Sequence, residues 1–197
     1  MRLHEMIRDN YPEYYSIERY PATETICIRK TQEEWGVLGN FAPTLIVVDG
    51  VSFDCTERLF HILKLRPDTE VLQEMMAKPC GMRIKMFVKH LNKTRPELFH
   101  DHWPQMIVDA MKFCLTQKYE QSEAFRQELA RSSGKFIVED ETARKRGRDA
   151  DTWGAVLSGD EYVGPNLLGR LLMELRDKGQ LEYHLPDDAL DFVNHLK

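Results

Sequence analysis

Leu168, Leu171, Leu172 and Leu175 recur at helical spacing after Asn166, so this stretch predicts an amphipathic helix that Gly179 terminates. Strand-like patterning comes earlier. Ile26-Cys27-Ile28 opens a strand, and Lys135 to Glu139 forms another. Leu45 to Phe53 reads as a hairpin, because Asp49-Gly50 stands between β-branched runs. Asp54 is placed to cap a helix running to about Leu65, with Glu57 three residues later as in a capping box. Further helices are predicted near 69–77, 80–91, 103–118 and 121–132, with a short one between Asp187 and His195. The first 24 residues, rich in tyrosine and broken by Pro12 and Pro21, read as irregular and packed over the domain. The fold class is therefore α+β, a mainly helical single domain with a small hairpin or sheet. The expected divisions are an extension over 1–25, the domain over 26–179 and a second extension over 180–197.

Composition narrows the setting. No apolar run reaches membrane-spanning length and Met1 to Glu5 opens no signal-peptide core, so a cytoplasmic protein without membrane contact is expected. Cys27, Cys55, Cys80 and Cys114 are scattered with no C-x-x-C pair, and are expected to be four buried or idle thiols. The methionines Met75, Met76, Met82, Met86, Met106 and Met111 are expected to fill core gaps. His100-Asp101-His102 has metal-ligand character but lacks a third ligand at a defined spacing, so it reads as a solvated loop. A net charge of -5 argues against bulk electrostatic binding of nucleic acid, though not against a local patch. One such run is Arg144, Lys145, Arg146 and Arg148, between acidic neighbours: either a solvated mobile loop or a phosphate-contacting one.

Three segments can carry chemistry. Trp35 to Pro43 contains Gly39-Asn40-Phe41, a tight turn presenting an amide and a ring, unless Asn40 only closes the turn and Phe41 only fills core. Glu57, Phe60, His61 and Lys64 stand at i, i+3, i+4 and i+7 and share one helical face. A carboxylate there can stabilise an oxocarbenium-like centre, and a desolvated lysine can attack an anomeric carbon. The bland alternative is a capping glutamate and a solvated lysine. Asp151, Trp153, Gly154, Gly164 and Asn166 lead into the leucine-rich helix, whose N-terminus suits a phosphate unless the tryptophan merely caps a core helix.

Taken in order, these segments resemble the NADAR (YbiA-like) family. The S-N-F-x-P turn stands as Gly39-Asn40-Phe41-Ala42-Pro43, and the V-D-G hairpin as Val48-Asp49-Gly50. The S-x-E-H-Y-F-Q-A-x-K-F helix stands as Cys55 to Leu65, with Leu59 and His61 in place of tyrosine and glutamine. Trp103, Met111 and Lys118-Tyr119 match a W…M…K-F helix. Ile137-Val138-Glu139 matches L-V-E, and Gly164 to Arg176 matches G-x-N-x-L-G-x-L-L-M-E-x-R. Ala150 replaces a family acid, and the stretch from Glu139 to Trp153, which holds the basic run, is longer than usual. The resemblance implies an N-glycosidase that needs no metal or other cofactor. It makes Glu57 the carboxylate and Lys64 the amine near the anomeric carbon. Asn40 would orient ribose or base, Trp103 and Trp153 would stack, and Gly164 with Asn166 would hold phosphate. Trp35, Gly39, Phe41, Phe60, His61, Asp151 and Gly154 complete the expected substrate-binding set.

The leading expectation is removal of ADP-ribose from a nucleic-acid base, with Arg144, Lys145, Arg146 and Arg148 on the strand and DNA as the partner. A metabolite N-glycosidase acting on a phosphoribosylated riboflavin-pathway intermediate is the alternative. A non-catalytic inhibitor docked on an ADP-ribosyltransferase toxin is the third.

Overall fold

The computed structural model describes residues 2–197 and divides them into two units. The first comprises Met1–Gly39 with Ala124–Leu181, and the second Asn40–Glu123 with Glu182–Lys197. Helix predominates in a mixed α+β chain, as the patterning predicts.

In the first unit, β1 (Glu18–Pro21), β7 (Glu161–Gly164) and β6 (Val156–Ser158) form an antiparallel sheet in the order β1-β7-β6, with Tyr20 opposite Tyr162. Strands β2 (Thr25–Ile28) and β5 (Phe136–Glu139) pair in parallel, with Ile26 opposite Ile137. The parallel register demands a long crossover between them rather than a hairpin. Helix α8 (Leu167–Lys178) lies against β5 and buries Leu167, Leu168, Leu171, Leu172 and Leu175. It ends at Gly179 with φ 73, the left-handed residue a helix C-terminus favours. The N-terminal stretch is more ordered than its composition suggests. Helix α1 (Leu3–Asn10) buries Ile7, Tyr14 donates to Glu174 at 2.9 Å, and β1 joins the sheet. Tyr11, Tyr14 and Tyr20 are here buried rings, while Tyr15 is exposed. The unit also holds α6 (Glu123–Arg131) from Ala124 on, and α7 (Thr142–Lys145).

The second unit opens on the hairpin β3 (Ile46–Val48) and β4 (Val51–Phe53), turned through Asp49 (φ 45) and Gly50 (φ 86). Helices α2 (Thr56–Ile62), α3 (Thr69–Ala77), α4 (Met82–Thr94), α5 (Trp103–Gln121) and α9 (Phe192–Leu196) follow. Asp54 does not cap α2. Cys55 is the cap residue, and Asp54 instead holds Arg58 through Nε at 2.6 Å and Nη2 at 2.8 Å. The buried Arg58 guanidinium then donates to the carbonyls of Met75, Met76 and Lys78, the open carbonyl end of α3. Capping chemistry is overridden here because a buried guanidinium must find several acceptors.

Two composition-based expectations are corrected. Cys55 and Cys80 are joined as a disulfide, so only Cys27 and Cys114 are free. Neighbourhood in space, 25 residues apart in sequence, decides this where motif spacing is silent. Met75, Met106 and Met111 are core, but Met82 and Met86 are exposed on the outer face of α4, opposite its buried Ile84, Val88 and Leu91.

Gly169 marks the tightest approach of α8 to the sheet. A Cβ there would stand 2.0 Å from the Ile137 carbonyl oxygen and 2.5 Å from the Asn166 amide. Gly169→Ala is therefore expected to cost about 1–3 kcal/mol or more, as overpacking against rigid backbone does. Urea denaturation reads this, and an unchanged midpoint contradicts such close packing.

Candidate active site

The hydrophobic face of α2 fixes the centre of the second unit. Every residue from Thr56 to Ile62 is buried, so the polar side chains among them must find partners inside. The helix start is met by backbone, the Glu57 N–H donating to the Asn40 carbonyl at 2.9 Å. That bond ties the Asn40 turn to the helix carrying Glu57.

Glu57 is 6% exposed. Its Oε1 lies 3.0 Å from His61 Nε2 and 3.5 Å from Lys85 Nζ, the latter supplied by α4. Lys64 sits just beyond the helix. Its Nζ lies 4.5 Å from the centre of the Phe60 ring and 5.3 Å from that of Trp103, and the two rings meet edge to face at 5.4 Å. Lys85 also faces Phe41 at 5.4 Å. The turn holding Lys64 is pinned by Arg66 N–H to the Leu98 carbonyl and by His100 N–H to the Lys64 carbonyl, at 2.7 and 3.0 Å. Asn40, Phe41, Glu57, Phe60, His61, Lys64 and Trp103 are thus brought together, and Lys85 joins them. No single-segment pattern pointed to Lys85, although the run from Lys78 to Arg95 holds six cations and no acid.

Burial sets the electrostatics. It pushes the Glu57 carboxyl up, but His61, Lys85 and Lys64 outweigh it and hold the group well below the ordinary carboxylate range. Burial and the neighbouring Lys64 push the His61 imidazole down against the pull of Glu57. The N–H that His61 donates to Glu57 favours the ionised carboxylate, and Lys85 and Lys64 reinforce it. Burial, joined by the positive charge of Lys85, lowers Lys64 to about 8 despite Glu57. A neutral amine is therefore accessible near physiological pH. Thr56 Oγ1 at the start of α2 is buried without a hydrogen-bond partner, and so are two atoms of the candidate set, Asn40 Oδ1 and His61 Nδ1. With Nε2–H donating to Glu57, both are acceptors, suited to hydroxyl or amide donors of a ligand.

The remaining candidates belong to the first unit, where several have other duties. Asn166 is fully buried in a left-handed conformation (φ 49). Its Oδ1 accepts from the Glu139 N–H at 3.1 Å, and its Nδ2 donates to the Ile137 carbonyl at 2.8 Å. The amides of Asn166, Leu167 and Leu168 donate to the carbonyls of Gly154, Thr152 and Trp153. The expected phosphate cradle at the start of α8 is therefore corrected, since those donors already serve the chain. Gly154 and Gly164 are buried there, and a Cβ on Gly164 would meet the Gly154 carbonyl oxygen at 2.6 Å. Trp153 is half-buried and Asp151 exposed. Trp35 adopts φ 67 and stacks under the Arg131 guanidinium at 3.6 Å, while Gly39 packs against Gly36 and Ile28. The basic run is partly a helical turn: Arg144 pairs with buried Glu141, and Lys145 with Glu141 and Asp151. Arg146 and Arg148 are exposed, so the run is neither a wholly mobile loop nor four available cations.

A family profile described as NADAR domain matches residues 27–179. The chain belongs to the NADAR domain family. It is 28% identical over 152 residues to N-glycosidase YbiA of Escherichia coli, covering 77% of this chain and 86% of YbiA. It is 25% identical over 191 residues to a riboflavin biosynthesis protein of Vibrio vulnificus, covering 95% of this chain but spanning only 47% of that longer relative. The solved NMR structure of E. coli YbiA superposes with a TM-score of 0.60 at 26% identity, over 83% of this chain and 90% of that one.

The depressed lysine makes a stability prediction. The unfolded chain holds the Lys64 proton up to about 10.5, whereas the native state releases it near about 8. The penalty for burying the charge is full below the lower value and vanishes above the upper one. Lys64→Met is expected to be more stable than wild type at neutral pH, with the gap closing above pH 10.5. Equal gaps in urea denaturation at both pH values contradict this.

Proposed function

We propose that this NADAR protein is an N-glycosidase that removes ADP-ribose from a modified nucleic-acid base. The observation that carries the reading is the Lys64 amine, lowered to about 8 and set between Phe60 and Trp103 beside an ionised Glu57. The names of the E. coli and Vibrio relatives support N-glycosidic chemistry.

On this reading the neutral Lys64 Nζ attacks the anomeric carbon. The carbon–nitrogen bond to the base breaks, and its electron pair leaves with the base, which takes up a proton. The ribosyl adduct opens to a protonated Schiff base on Lys64, and water then cleaves it to restore the amine and free the sugar. Glu57 is too acidic to be an efficient proton acceptor at neutral pH, so its role is electrostatic: it stabilises positive charge developing at the anomeric carbon. The unpartnered Asn40 Oδ1 and His61 Nδ1 accept substrate donors. Phe41 and Trp103 offer ring faces to the base or sugar.

The nucleic-acid preference rests on charge. Of the six cations from Lys78 to Arg95, Lys78, Lys85 and Arg95 are ion-paired, while Arg83, Lys89 and Lys93 are exposed, as are Arg146 and Arg148. Phosphate contacts of this kind raise affinity in a salt-dependent way. A phosphoribosylated metabolite is the second reading, favoured by the pairing of Arg144 and Lys145 with Glu141 and Asp151.

Incubation with an ADP-ribosylated DNA oligonucleotide, followed by borohydride, tests both substrate and mechanism. Wild type is expected to release ADP-ribose and to form a reduced covalent adduct at Lys64. Lys64→Ala should form none, and Glu57→Gln should lose about 10²-fold or more in kcat, the scale of a removed electrostatic group. Below about pH 8 the rate should fall as Lys64 becomes protonated. Turnover of phosphoribosylated metabolite alone selects the second reading. Turnover without adduct, undiminished in Lys64→Ala, overturns the lysine mechanism.

A further inference from the structure

His100 and His102 flank the turn that enters α5, and Asp188 lies on the segment before α9, within the same unit. Their donor atoms converge. His100 Nδ1 is 3.6 Å from Asp188 Oδ2, and His102 Nε2 is 3.6 Å from Asp188 Oδ1. The two imidazole rings are 4.7 Å apart, and the three ligand atoms all lie within 4.8 Å of one another. These separations are long for direct hydrogen bonds. They are close to the edge of a coordination polyhedron, since ligands at about 2.0–2.2 Å in a tetrahedron stand roughly 3.4 Å apart.

A second observation points the same way. His102 Nε2 is buried and has no hydrogen-bond partner. A buried nitrogen left without a partner is costly, yet here it is aimed at a carboxylate it does not bond. His100 is almost wholly enclosed, with a side chain 3% exposed. The nearby Arg66, whose charge would oppose a cation, is engaged by Asp101.

We propose that His100, His102 and Asp188 form a binding site for a divalent transition-metal ion of the zinc type. Two imidazoles with one carboxylate suit zinc, cobalt or nickel rather than magnesium or calcium, which favour all-oxygen shells. Three protein ligands leave room for water on the side where Asp188 is exposed. The ion clasps the C-terminal segment onto the His100–His102 turn. Because the His100 N–H holds the Lys64 carbonyl, the clasp also braces the turn carrying the candidate nucleophile. The site is independent of the glycosidase reading. The other convergent group, Asp54 with Cys55 and Cys80, is set aside because both sulfurs are in the disulfide.

The test uses the full chain stripped with chelator, then titrated with Co²⁺ by visible absorption and with Zn²⁺ by calorimetry. Wild type is expected to bind one equivalent saturably and to melt at a higher temperature with Zn²⁺, as ligand linkage requires. His102→Ala and Asp188→Asn should weaken binding tenfold or more and lose the melting shift. Asp188 is exposed, so its variant should keep the metal-free melting temperature of wild type and separate lost ligation from lost folding. Absence of saturable binding overturns the proposal. So does equal binding in wild type and both variants, which marks adventitious contact with other histidines.

Discussion

An ionised carboxylate shut inside a protein must be paired, and Glu57 imposes that demand on the second unit. Its partners come from different parts of the chain: His61 from its own helix, Lys85 from α4 and Lys64 from the turn after α2. Each partner needs its own support. Asn40 caps the helix through its carbonyl, and Arg58 ties α2 to the open end of α3. The disulfide joins the start of α2 to the residue two before α4. Removing any of these opens the packing whose burial lowers Lys64, and with it the nucleophile. Function and local stability oppose each other here, since burying the Lys64 charge is unfavourable except for what the pocket does.

The first unit solves a different problem with similar means. Its most conspicuous motif, the Trp-Gly turn leading to the leucine-rich helix, looks like an anion site in sequence. The buried Asn166 side chain instead joins two backbone groups of β5, and the first amides of α8 are taken by the Thr152–Gly154 carbonyls. Such a helix start is a seam between helix and strand. An asparagine suits it because it tolerates a left-handed backbone and offers both a donor and an acceptor.

Local physics was readable in advance. Asp49-Gly50 announced the hairpin, Gly179 the end of α8, and the spacing of Glu57, Phe60, His61 and Lys64 a shared surface. These depend on turn chemistry or helical period, which neighbours in sequence determine. What escaped the sequence depends on contacts between distant segments. Lys85 reaches Glu57 across 28 positions and Asp188 reaches His102 across 86, and neither has a local signature. Asp54 does not serve as the cap its position suggests, because the buried Arg58 makes the stronger claim on it. Tyr14 and Tyr20 escape a local reading for the same reason, their order coming from α8 and β7 rather than from their own segment.

The account turns on Lys64 releasing its proton near pH 8, well below an ordinary lysine. The direct measurement is a pH titration of the lysine side-chain carbon shifts by NMR, with Lys64 assigned from the signal missing in Lys64→Arg. The expected midpoint is near about 8, falling further in Glu57→Gln because the carboxylate is what pulls it up. A midpoint at the ordinary value of 10.5, or one that Glu57→Gln leaves unmoved, would contradict it.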